Sequence, residues 1–281
     1  MRTPFPKDIP MHKQGVLKKG TLLFLHANSY SAGMYGSLLE PLYNNYEVWA
    51  PDLPGHGNSH WTGRVQSWEN LADYYIKHLE RIKLPMPFIG MGHSIGGVVI
   101  MLMAIKRPNW FSKTIFLDPV LLPKSLLWII RGLHFTSLTH LIPLAKAANR
   151  RKSLFSSRQA ALDHFSSKQV FSRWQPQFLE GYVDHCLHPL DSGEWQLSCA
   201  PQLESSIYQS LPLNAWKFPK KLQVPSLFLI GNHSDTVDKR GVQRLKNTSR
   251  NHVVNGVEGG HLFPFEKPEE SMALIKDFLN Q

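Results

Sequence analysis

The apolar run PFIGM (87–91) passes into a second apolar run, IGGVVIMLMAIK (95–106), across only Gly92, His93 and Ser94. The first run has strand length, and the second continues at helical length until Pro108. A strand that turns straight into a helix brings the residues two before and two after the turn into contact. Glycine at 92 and 96 removes the side chains that would collide there. This junction constrains the chain more than any other feature, because it needs a strand at the centre of a covered sheet.

The same rhythm recurs. Strand patterns at 21–26, 46–50, 87–91, 114–117, 226–230 and 252–254 alternate with helical patterns at 34–43, 67–82, 95–106 and 268–279. Ser67 caps the second of these helices, and Pro85 follows its end. Strands alternating with helices predict an α/β fold, a mostly parallel sheet flanked by helices. The rhythm breaks between 120 and 219, which shows no clear strand and is rich in Leu, Trp, Phe, Ser and His. We read 1–119 and 220–281 as the core domain, and 120–219 as a helical cap inserted at the edge where open α/β sheets place their chemistry.

Composition agrees. The 281 residues are 42% apolar and 19% charged, enough for a large core, and two cysteines cannot form a disulfide framework. Residues 1–20 hold no apolar run of the kind a leader or anchor needs, and 120–130 is too short to span a bilayer, so a cytoplasmic protein is expected. The net charge is +10, and +7 of it lies within 122–180, where nine Lys and Arg face Asp163 and Glu180. No zinc-finger, RNP or phosphate-loop pattern accompanies this charge, so nucleic acid is not an expected partner. The segment is read first as a solvated face, with contact to an acidic membrane surface or an anionic substrate as the alternative.

The chemistry centres on Gly92-His93-Ser94-Ile95-Gly96. Ser94 stands at a helix N-terminus, where free N–H groups favour developing negative charge. A serine needs a base, and the order on this architecture is Ser, then an acid, then His. His261 follows Gly259 and Gly260 after the last strand pattern, and Asp235 lies in the loop GNHSD after the strand SLFLI. Asp235 is the expected acid, with Asp118 at the end of FLD and Asp238 as alternatives. The oxyanion donors are expected from the Ile95 N–H and from Asn28, through its N–H with its side chain as a further option.

With these residues in place the chain resembles the α/β-hydrolase superfamily, in its lidded branch of esterases, lipases and C–C bond hydrolases. FLHANS resembles the family's oxyanion loop, WAPDLPGHGNS its D-x-x-G-x-G-x-S loop, GHSIGG its elbow, and GNHSD and GGHLFPFEKPEE its acid and histidine loops. The likeness runs from residue 21 to about 279 outside the insertion. In two places the chain departs from the pattern. Ala27 replaces the usual glycine, and Asp235 lies four residues after Gly231 where three is the commoner spacing.

The resemblance implies a serine hydrolase of carboxylic esters, working without cofactor or metal on a small, partly apolar ester. A C–C bond hydrolase with the same triad and a non-catalytic binding protein on the same scaffold are the other readings. Asp52, His56 and Ser59 are expected to fix a loop. Asp184, His185, Cys186, His188 and Cys199 are read as packing in the cap and not as a metal site. Trp128, Phe135, Trp174 and Phe178 are candidates for the wall of an acyl pocket or for packing.

Overall fold

Residues 5–7 and 9–281 are described by the computed structural model. Residues 1–4 and 8, part of the segment read above as neither leader nor anchor, lie outside it. The strands are β1 (Met11–Gly15), β2 (Thr21–Leu25), β3 (Glu47–Pro51), β4 (Phe88–His93), β5 (Phe111–Leu117), β6 (Leu154–Phe155), β7 (Leu187–Pro189), β8 (Trp195–Leu197), β9 (Ser226–Gly231) and β10 (His252–Val257). Seven of them form one sheet in the order β1-β3-β2-β4-β5-β9-β10, in which only β1 pairs antiparallel.

Every residue of β2, β4 and β9 is buried, which is why they read as unbroken apolar runs. β1 (MHKQG) is an edge strand of mixed polarity and carries no such signal.

The helices are α1 (Gly36–Leu39), α2 (Trp68–Ile82), α3 (Ile95–Lys106), α4 (Lys124–Phe135), α5 (Pro143–Asn149), α6 (Arg158–Ser166), α7 (Pro176–Cys186), α8 (Pro201–Gln209), α9 (Lys239–Lys246), α10 (Phe263–Glu266) and α11 (Pro268–Asn280). Ser67 caps α2 through a hydrogen bond from the Asn70 N–H, as its sequence position suggests. The helix expected at 34–43 is instead the single turn α1 between two 3-10 turns, Gly33–Tyr35 and Glu40–Leu42. Pro41 within the second turn has no N–H with which to extend a helix.

The segment between β5 and β9 leaves and rejoins the sheet at neighbouring strands, and it carries α4 to α8. Contrary to expectation it also contains strands: β6, β8 and β7 form a small antiparallel sheet. At two or three residues each, they are too short to show a period of two in sequence. Phe155, Phe165, Trp174 and Phe178 of this segment pack into the same buried cluster as Leu22, Met91 and Phe265 of the core. Among the described residues no helix is long and apolar enough to cross a membrane.

Candidate active site

Ser94 lies between β4 and α3 with φ 57° and ψ −120°, a left-handed backbone that an L-residue adopts only under constraint. Its N–H donates to the Leu117 carbonyl at 2.9 Å, which ties the turn to β5. A side chain at Gly92 would fall on the backbone of Gly96, and one at Gly96 on the Leu25 carbonyl. The two glycines therefore allow the elbow to press against the end of β2, where the loop carrying Ala27 and Asn28 begins.

His261 Nε2 lies 2.9 Å from Ser94 Oγ, and His261 Nδ1 lies 2.7 Å from an oxygen of Asp118. Nδ1–H donates to the carboxylate, which leaves the Nε2 lone pair to accept from the serine hydroxyl. Burial works against a charged His261, but the hydrogen bond and charge of Asp118, with the charge of Asp235 behind them, outweigh it and raise the imidazole above its ordinary pKa.

The carboxylate beside His261 is thus Asp118, and the expected Asp235 is not in that position. Asp235 is exposed and reaches the imidazole only through its field. Asp118 follows the last residue of β5 with φ 42°, is fully buried, and hydrogen-bonds through its own N–H to the Leu229 carbonyl of β9. Its side chain also accepts from Gly231 N–H at 2.9 Å and from the hydroxyls of Ser234 and Thr236, each at 2.6 Å. Ser234 stands three residues after Gly231, the commoner place for the acid, and so donates to a carboxylate supplied by the neighbouring strand. That spacing was the sequence signal for the displacement. Asp238 caps α9 by accepting from Gly241 N–H.

His93 and Tyr35 were not anticipated. His93 Nε2 lies 3.0 Å from the His261 carbonyl, which can only accept, so this nitrogen carries the proton and Nδ1 accepts from Tyr35 Oη at 2.7 Å. Tyr35 Oη in turn accepts from the Ala27 N–H at 3.3 Å. Burial, with the neighbouring His261, pushes the His93 pKa down to about 3 and keeps this ring neutral. One chain of hydrogen bonds therefore links the loop after β2 to the backbone of His261. His93→Phe should leave the His261 carbonyl without a donor and the Tyr35 hydroxyl without an acceptor, costing about 1–3 kcal/mol in urea unfolding.

Asn28 is buried, but its side chain is engaged elsewhere. The amide donates to the Glu204 carbonyl at 3.2 Å and lies against His56. The side chain is thus held by Glu204 and His56, and the backbone N–H stands as the candidate donor beside that of Ile95.

Asp52 holds the loop as expected, accepting from Ala32 N–H at 2.8 Å and Asn58 N–H at 3.0 Å. The inserted segment also grips this region: Arg151 hydrogen-bonds Ser29, Glu204 Oε2 at 2.7 Å and Tyr182 Oη at 2.5 Å. Asp184 pairs with Arg158, and Cys186 and Cys199 are buried free thiols. Trp128 and Phe135, considered above for a pocket wall, are 68% and 92% exposed, whereas Trp174 and Phe178 are packed in the core.

A family model described as alpha/beta hydrolase family matches residues 22–274. A probable alcohol acetyltransferase of Wickerhamomyces anomalus is 24% identical over 92% of this chain and 78% of its own length. A monoglyceride lipase of Mus musculus is 23% identical over 92% of this chain and 80% of its own. The crystal structure of E-2-(acetamidomethylene)succinate hydrolase superposes with a TM-score of 0.78 at 18% identity, covering 97% of this chain and 95% of that one. At that identity the likeness speaks for the fold.

Proposed function

Because the chain belongs to the alpha/beta hydrolase family, we propose that it is a serine hydrolase of carboxylic esters, with Ser94 as nucleophile, His261 as general base and acid, and Asp118 as the group that orients His261. The observation that carries this reading is the unbroken hydrogen-bond chain from Ser94 Oγ through His261 to Asp118, with spacings of 2.9 and 2.7 Å. A module that merely binds has no use for a base aligned on a strained serine.

His261 Nε2 takes the hydroxyl proton as Ser94 Oγ attacks the ester carbon. The imidazolium that forms faces the buried Asp118 carboxylate, which stabilises its charge without accepting its proton. The tetrahedral oxyanion falls to the N–H groups of Ile95, at the head of α3, and of Asn28. His261 then returns the proton to the leaving alcohol, and water repeats the sequence on the acyl-enzyme. The relatives named lipase and acetyltransferase support an acyl ester as the substrate class.

Incubation with a fluorophosphonate should give one covalent adduct on Ser94, located by peptide mass spectrometry. An unlabelled folded protein would remove the enzyme reading. Turnover of β-diketones but not of p-nitrophenyl esters would instead favour C–C bond cleavage. The pH profile is a second check. Since the base must be neutral and Asp118 raises its pKa, kcat/KM should fall on acidification with an inflection above 6.5, the ordinary histidine value.

A further inference from the structure

Among the described residues eleven large apolar side chains are exposed, and six of them (Trp128, Ile129, Phe135, Leu138, Leu141 and Leu144) fall within 128–144. This stretch comprises most of α4 and the start of α5. The inward face of α4 is accounted for, because Leu126, Leu127, Ile130 and Leu133 pack on the core. On the opposite face Lys124, Trp128, Arg131 and Phe135 succeed one another at spacings of four, three and four residues, which aligns them in one row. The Arg131 guanidinium lies 5.3 Å from the centroid of the Trp128 ring. A helix face turned to water ordinarily carries polar side chains, and this one alternates cations with aromatics.

Charge separates the possible occupants. Residues 119–162 contain seven Lys and Arg and no Asp or Glu. Two of the seven are engaged internally, Arg151 with Glu204 and Arg158 with Asp184. Lys124, Arg131, Lys146 and Arg150 have no carboxylate partner among the described residues and are exposed, the first two within the row itself and the other two on α5 and at its end. A second copy of this chain would bring like charges together on such a face. A nucleic acid would leave the leucines without a role. Acidic headgroups above an acyl layer match both components.

We propose that the α4–α5 face docks on an anionic lipid surface, with Trp128, Phe135 and Leu138 entering the boundary between headgroups and chains while Lys124, Arg131, Lys146 and Arg150 meet the lipid phosphates. The solvated-face reading of the basic segment then gives way to its alternative. Docking does not depend on the chemistry at Ser94, so the Ser94→Ala protein should behave as the native one does.

The test is co-sedimentation of the full chain with phosphatidylcholine vesicles and with vesicles containing about one third phosphatidylserine. The protein should partition into the anionic vesicles about ten-fold more strongly than into the neutral ones, and less so as salt is raised. A Trp128→Ala/Phe135→Ser variant should bind about ten-fold more weakly, and a Lys124→Glu/Arg131→Glu variant should lose the preference for anionic lipid. All four positions are exposed, so both variants should melt with the native protein. Failure to pellet with either vesicle, or binding that the apolar double variant retains, would overturn the proposal. A dimer seen by light scattering and broken by these substitutions, without vesicle binding, would assign the face to self-association instead.

Discussion

Ser94→Ala should lower kcat on a p-nitrophenyl ester by about 10⁵- to 10⁶-fold, the scale on which a serine triad fails when its nucleophile is removed. The melting temperature should barely move. The Ser94 hydroxyl reaches only His261 among the described groups, and alanine tolerates φ 57° no worse than serine does. A stopped assay with purified protein measures the rate, and a thermal melt controls for folding. A rate near the native one would show that ester turnover does not pass through this side chain.

The second large effect distinguishes two carboxylates. Asp118→Asn should reduce kcat about 10⁴-fold, because an amide in place of the acceptor no longer fixes the proton on His261 Nδ1 and the imidazole turns its N–H towards the serine. The acid inflection of the residual activity should move down, since the charge that raises the His261 pKa is gone. Asp235→Asn removes only a remote charge from an exposed side chain, and its kcat should stay within about three-fold of native at neutral pH. If Asp235→Asn proved the damaging change, the carboxylate orienting His261 in solution would not be Asp118.

The sheet was largely legible in the sequence because its central strands are covered on both faces and so appear as continuous runs such as TLLFL and SLFLIG. α3 was legible for the same reason, and its bounds, 95–106, match. The elements that escaped lack that contrast. α9, KRGVQRLK, buries little besides Leu245, and the strands of the insertion end before a pattern can form. Ser94 stood out because Gly92 and Gly96 frame it, and His261 because Gly259 and Gly260 precede it.

The carboxylate that lies beside His261 stood in the sequence only as an alternative, because a loop rule expressed as sequence order takes no account of which neighbouring strand end supplies the side chain. Two hydroxyls after β9 and the amide of its last residue converge on a carboxylate that follows β5, and only the pairing of those strands brings them together. The aromatics of the inserted segment, read as pocket wall or packing, divide for a related reason: Trp174 and Phe178 pack, whereas Trp128 and Phe135 are exposed. Periodicity separates the two sides of α4 but does not reveal which side is left uncovered.

The position of Asp118 also determines how the molecule can be re-engineered. The inserted segment begins at the very next residues, so a hinge at its root would transmit torque directly to the anchor of His261. Exchanging this module between relatives would carry a catalytic penalty unless the joint lay beyond Pro119. The turn following β9 has the opposite character. On the proposed roles this turn supplies no anion, so it can drift in sequence as long as a pair of small hydroxyl side chains survives, and directed evolution should find its tolerated changes there first.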